Sequence, residues 1–191
     1  KAKISQPGGC DIGTRPIDIH LEGLKKLGAN FTVENGYVLG KVNNHLIGNH
    51  IKLPFPSVGA TENIMMAAVK AEGQSIIENA AMEPEISDLA DCLNKMGSKI
   101  NISNKGIIKI TGVKKLNKAN HKIMSDRIVA GTFVIAAVML NKKFEVKAIE
   151  SKHLNALTYV LREMGANIKI KENIISILPT KELKGTKIQT S

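Results

Sequence analysis

In the run Pro7-Gly8-Gly9-Cys10-Asp11-Ile12-Gly13-Thr14-Arg15-Pro16-Ile17-Asp18, a cysteine sits among three glycines, five residues before an arginine. The glycines permit backbone angles that other residues resist. Pro16 suits the first turn of a helix, where its missing N–H costs nothing. Cys10 is therefore expected on a loop that leads into a helix N-terminus, with the fixed charge of Arg15 close by. Such surroundings favour the thiolate. An isolated cysteine would be read as structural, but this loop favours a reactive one.

Other residues could share that chemistry. Leu53-Pro-Phe-Pro-Ser-Val-Gly-Ala-Thr61 places Ser57 as an N-cap and Val58 and Gly59 at a helix start, where free N–H groups bind phosphate. Taken alone, a plain cap explains Ser57 as well. Glu83-Pro84-Glu85 opens the next helix, where acidic residues suit the dipole. Asp126 either caps a further helix or aims a carboxylate into a cleft between domains. His20 lies about a turn beyond 15–18 and is placed to line the same pocket. The five histidines show no metal spacing and there is no CxxC pair, so neither metal nor cofactor is expected. No GxGxxG follows a strand, and no Walker loop is present. Cys92, beside the apolar face of a helix, reads as structural.

The formal charge of +10 implies attraction to anions: nucleic acid, an anionic membrane or phosphorylated metabolites. Aromatic residues make up 3% of the chain, too few for the stacking platforms of single-strand binding. The lysine-rich stretch 105–122 reads as a solvated face or linker. No apolar run is long enough to span a bilayer; the longest, 133–140, has the length of a buried helix segment. Neither nucleic-acid nor membrane partners are therefore expected. Two cysteines make no disulfide framework, and a reducing, cytoplasmic setting fits. The chain opens on Lys1 and closes on strand-like 186–191. It is expected to be a piece whose partner is the remainder of its own chain.

The elements that position these residues come from a repeat. Lys26-Leu-Gly-Ala-Asn-Phe-Thr-Val-Glu-Asn35, Lys95-Met-Gly-Ser-Lys-Ile-Asn-Ile-Ser-Asn104 and Glu163-Met-Gly-Ala-Asn-Ile-Lys-Ile-Lys-Glu172 resemble one another. Ala67-Ala68-Val69 and Ala136-Ala137-Val138 keep the same period. Each copy reads as an amphipathic helix (16–27, 84–96, 152–164), a glycine cap and a hairpin. A strand, helix and strand precede the second (50–53, 59–71, 75–79) and the third (121–124, 126–140, 144–148). The unit is thus βαβαββ, with the first copy cut to its second half. Helix 128–140 is apolar all round and is expected to be buried on every side. The strands alternate, so the sheets face water on one side. The expected class is α/β (α+β), with helices inside, sheets outside, and modules around a pseudo-threefold axis.

At this point the residues resemble a known family. Pro7-Gly-Gly-Cys-Asp-Ile-Gly-Thr-Arg-Pro16 is similar to the active-site loop of the enolpyruvyl transferases, in their UDP-N-acetylglucosamine carboxyvinyltransferase branch. Pro56-Ser-Val-Gly-Ala-Thr61, Glu78-Asn-Ala-Ala81 with Glu83-Pro-Glu85, and Asp126-Arg127 with Gly131-Thr132 look like further landmarks in the same order. The resemblance runs the whole length of the chain. It implies two domains of βαβαββ units forming an inside-out α/β barrel, present here as a fragment. Residues 1–122 would be part of the catalytic-loop domain, and 123–191 the start of the second, with a final strand.

The implied reaction joins phosphoenolpyruvate to the 3-hydroxyl of UDP-N-acetylglucosamine, releasing phosphate at the first committed step of peptidoglycan synthesis. Cys10 matches the family's proton donor, which also forms an adduct with phosphoenolpyruvate and is alkylated by fosfomycin. Arg15 matches an anion-binding catalytic arginine. Arg15, Pro16, Ile17, Asp18 and Ile19 would hold the uridine, with His20 beside them, and Ser57, Val58 and Gly59 the diphosphate. Glu83 and Asp126 match acidic positions of the cleft. Phe55 stands where some members carry a lysine. Other family residues fall outside these 191, so the chain alone is expected not to catalyse. An RNA binder related to the RNA 3′-phosphate cyclases, which use similar modules, is the competing reading. It leaves the Cys10 loop unexplained. A catalytically dead scaffold is a second.

Overall fold

Apolar residues at 86, 90 and 93 share one side of a helix, and those at 108 and 110 one side of a strand; both sets are buried together. The computed structural model describes residues 1–9, 13, 16–147 and 149–188. It divides into two units, Lys1–Lys122 and Ile123–Ser191.

The first unit runs β1 (Ala2–Ser5), α1 (Asp18–Lys26), β2 (Asn30–Glu34), β3 (Tyr37–Lys41), β4 (His50–Lys52), α2 (Val58–Ala68), β5 (Gln74–Glu78), α3 (Pro84–Lys95), β6 (Lys99–Ser103) and β7 (Ile107–Thr111). The second runs α4 (Arg127–Met139), β8 (Phe144–Lys147), a 3-10 turn (Ser151–Leu154), α5 (Asn155–Glu163), β9 (Asn167–Lys171) and β10 (Ile174–Leu178).

The repeat is visible in the pairing. Three sheets are ordered β1-β3-β2, β4-β5-β7-β6 and β8-β10-β9. In each, the last strand of a module lies antiparallel between two others. β4 adds itself parallel to β5 and completes the one full βαβαββ module. No sheet among the described residues closes into a barrel. Each helix ahead of a hairpin ends at a glycine of positive φ: Gly28, Gly97 and Gly165 at 96°, 99° and 96°. That conformation is open to glycine and strained for most other residues.

Four expectations need correction. Residues 121–124 form no strand, because the His121 side chain is drawn against α3 of the first unit. Residues 186–188 form none either, and 189–191 lie outside the described residues. α1 begins at Asp18 rather than Pro16, since its first bond runs from Leu21 N–H to the Ile17 carbonyl. Most clearly, α4 is not buried all round. Ala130, Val134, Ala137 and Val138 face its own core, whereas Ile128, Phe133, Met139 and Leu140 are exposed. Its counterpart α2 packs against both α1 and α3. Within its unit α4 meets α5, the 3-10 turn, β8 and β10, and among the described residues of that unit no helix takes the place that α1 takes on α2.

Ser75, on β5 opposite Ile110, faces the core with its hydroxyl buried and without a hydrogen-bond partner among the described residues. A buried unsatisfied hydroxyl costs free energy. Ser75→Ala is therefore expected to hold stability or raise it by up to about 1 kcal/mol, read from the urea midpoint. A loss of that size instead would show that the hydroxyl is bonded.

Candidate active site

The strands β4 and β5 run parallel, and each leads through a short loop into a helix. The N-termini of α2 and α3 therefore open on the same end of the sheet. Both loops are held from below. Leu53 N–H donates to the Glu78 carbonyl at 2.9 Å, and the Asn79 side-chain amide donates to the Leu53 carbonyl at 2.9 Å. Asn79 takes a positive φ of 57° to do so. Thr61 Oγ donates to the Ser57 carbonyl at 2.8 Å and accepts from Ala81 N–H at 3.1 Å, which ties the first turn of α2 to the loop before α3. Ser57 caps α2, its Oγ accepting from Ala60 N–H at 3.4 Å. The remaining early N–H groups give this end a partial positive charge.

α1 brings His20 to the same place. Its Nδ1 lies 2.7 Å from the Asn63 side-chain amide of α2. A Cβ on Gly59 would come within 3.1 Å of His20 Cε1, so glycine is what lets the ring lie over the α2 N-terminus. His20, Ser57, Val58 and Gly59 are thus assembled. Asp18 and Ile19 border a cleft of about 140 Å³ between α1 and the stretch Ile51, Lys52, Leu53 and Pro54. Pro16 is exposed and Ile17 half-buried just ahead of α1. Glu83 is the N-cap residue of α3, without a side-chain capping bond. Cys10 and Arg15 lie outside the described residues. Asp126, in the second unit, acts as a cap: one carboxylate oxygen accepts from Ile128 and Val129 N–H, each at 2.9 Å. Phe55 is exposed.

Sequence reasoning gave no role to Asn63 or Asn79. Asn63 follows Gly59 by one helical turn, a spacing that would have found it had the α1–α2 contact been known. Asn79 directly follows β5 and precedes two alanines, a position where asparagine tolerates the left-handed region.

Glu78, at the base of these loops, accepts from Lys52 Nζ at 2.7 Å and lies 3.1 Å from His50 Nε2. The bond from Lys52 is the main reason its carboxyl is held below the usual 4.5, with burial opposing and His50 assisting. The same bond raises Lys52 above 10.5. A lowered carboxyl contributes stability that is present above the unfolded value and lost as pH falls through the folded one. The raised ammonium contributes below its unfolded value and loses it as pH rises through the folded one. Glu78→Gln is expected to be less stable than the parent at neutral pH, with the gap narrowing well below pH 4.5 in paired urea titrations. Parallel curves would show that the pair contributes nothing.

Several known proteins are similar to this chain. The family model described as EPSP synthase (3-phosphoshikimate 1-carboxyvinyltransferase) matches residues 1–191. A protein of Prochlorococcus marinus (strain MIT 9312), named UDP-N-acetylglucosamine 1-carboxyvinyltransferase, is 51% identical over the whole chain. One from Clostridium acetobutylicum, named UDP-N-acetylglucosamine 1-carboxyvinyltransferase 1, is 50% identical over 98% of it. The chain spans 42% and 45% of their lengths. Among solved structures, the enolpyruvyl transferase NikO from Streptomyces tendae superposes with a TM-score of 0.80 over 94% of this chain and 44% of its own, at 16% identity. An EPSP synthase from Acinetobacter baumannii gives 0.68 over 92% and 42%, at 23% identity. At those identities the two structures speak for the fold.

Proposed function

Because the chain belongs to the EPSP synthase family of carboxyvinyltransferases, we propose that the protein carrying it transfers the enolpyruvyl group of phosphoenolpyruvate to the 3-hydroxyl of UDP-N-acetylglucosamine. The observation that carries this choice of substrates is the identity of about one half, over the whole chain, to proteins named for that reaction. The competing RNA reading finds no support among the relatives.

In the proposed reaction the sugar oxygen adds to C2 of phosphoenolpyruvate, its hydroxyl proton passing to a base supplied by the remainder of the protein, while Cys10 gives its proton to the methylene carbon. The tetrahedral adduct then loses phosphate from C2 and returns a proton from the new methyl group to the Cys10 thiolate, which restores the double bond and the acid. Arg15 binds substrate anions next to Cys10. The diphosphate rests on the N-terminus of α2, against the N–H groups that follow Ser57, with His20 alongside. That placement is supported by the cap geometry and by the close approach of His20 to Gly59. The uridine lies against 15–19, next to the cleft beside Asp18 and Ile19. Glu83 serves as an acidic group of the cleft, whereas Asp126 is engaged in capping α4. Residues 1–122 belong to the domain that carries the cysteine loop and 123–191 to the second domain.

No described helix is long and apolar enough to cross a membrane. We place the reaction in the cytoplasm, as a step of peptidoglycan synthesis that serves cell-wall biogenesis and, through it, cell shape and division. Cys10 is the group that fosfomycin would alkylate. The test is phosphate release by the full-length protein with both substrates, while the 191-residue chain alone stays silent. Release with shikimate 3-phosphate but not with the sugar nucleotide would move the protein to the other branch of the family.

A further inference from the structure

The chain leaves each hairpin in one way. A main-chain N–H beyond the hairpin donates to the carbonyl that closes the preceding helix: Ile47 to Leu27, Asn117 to Met96 and Lys184 to Met164, at 2.9, 2.8 and 2.8 Å. After the first of these, the exposed Asn49 adds one bond from its side chain to the Lys26 carbonyl. After the second, the chain turns back along α3 towards its N-terminus and buries an imidazole. The His121 side chain is 9% exposed. Its Nε2 lies 3.1 Å from Asp88 Oδ1, and its Nδ1 lies 3.2 Å from Lys95 Nζ.

Asp88 and Lys95 are seven residues apart on α3, which sets them two turns apart on one face. The ring bridges them. An ammonium has no lone pair and can only donate, so Nδ1 must be a bare acceptor and Nε2 must carry the hydrogen given to Asp88. The two contacts thus select the tautomer with its hydrogen on Nε2. An apolar side chain would fill the same space without needing partners. What the histidine adds is direction, because both nitrogens are satisfied in one placement of the ring.

We propose that the Lys95–His121–Asp88 chain is an anchor that fixes where, and in which direction, the polypeptide leaves the first unit. Three observations agree. The anchor stands one residue before the unit ends at Lys122. Ile123, just beyond it, is 77% exposed. At the other two exits, which share the main-chain bond, the side-chain bonds among the described residues are exposed rather than buried. The inference does not rest on the proposed reaction.

Hydrogen exchange and trypsin cleavage of the 191-residue chain test it. His121→Ala is expected to speed exchange of amides 118–125 at least tenfold and cleavage after Lys118 and Lys122 in step, with β5, β7 and the core of α3 unchanged. His121→Gln, whose amide can still donate to Asp88, is expected to recover most of the protection. Lys95→Met, at an exposed position, is expected to give a smaller rise confined to the same segment. Nitrogen-15 spectra of the ring are expected to show the hydrogen on Nε2. Unchanged exchange in His121→Ala, a rise spread evenly through the first unit, or a hydrogen on Nδ1 would each overturn the proposal.

Discussion

In the full-length protein, Cys10→Ser is expected to slow phosphate release by roughly 10²–10⁴-fold, the range that general acid catalysis contributes. A serine hydroxyl keeps the size of the thiol but is a far weaker acid, so the loss falls on the proton transfer to the methylene carbon. Binding of UDP-N-acetylglucosamine should be nearly unchanged, because the contacts proposed for it lie at residues 15–20 and at Ser57, Val58 and Gly59 rather than at Cys10. The paired measurements are phosphate release at saturating substrates and equilibrium binding of the sugar nucleotide. Release within tenfold of the parent would remove Cys10 from the role of proton donor. Loss of binding alone would make the loop a binding element.

Gly112→Ala is expected to destabilise the first unit by at least about 3 kcal/mol, at the upper end of what overpacking costs. Gly112 follows β7, where the chain presses against the turn after α2. Its N–H donates to the Gly73 carbonyl at 2.9 Å, and Val113 N–H donates to the Val69 carbonyl at 2.8 Å. A Cβ at Gly112 would fall 1.6 Å from the Ala71 carbonyl oxygen. That atom is main chain, so no rotamer change relieves the clash, and moving it breaks the two bonds. Gly185→Ala is the control, since its added methyl would meet nothing within 4 Å. Urea unfolding followed by amides of β5 and β7 reads the difference. A loss under about 1 kcal/mol would mean that the turn yields easily.

Much of the fold was legible because local chemistry and tertiary packing agree in it. The alternation at Ile108 and Ile110, the glycine caps and the shared period each describe a module that satisfies most of its own needs. The failures lie where a segment depends on something outside its module. α4 has the composition of a fully buried helix, but composition states a need for neighbours and does not supply them. Residues 121–124 sit where the repeat puts a strand, yet one histidine finds a carboxylate and an ammonium on α3 and the segment follows it. The same limit applies to the site. Ser57 as a cap could be read from its neighbours in sequence. The approach of His20 to Gly59 could not, because it depends on how α1 lies across α2.

The three matching bonds at Leu27, Met96 and Met164 bear on how the chain folds. Each joins residues only roughly 20 positions apart, so closing it costs little chain entropy. A module can therefore seal itself without waiting for the next one to exist. During synthesis this would remove each hairpin in turn from the pool of unpaired strands, which is where chains of repeated sequence mispair. Pulse-labelled exchange during refolding is expected to show the amides of Ile47, Asn117 and Lys184 gaining protection each with its own hairpin. Simultaneous protection of all three would instead mean that the modules wait for one another.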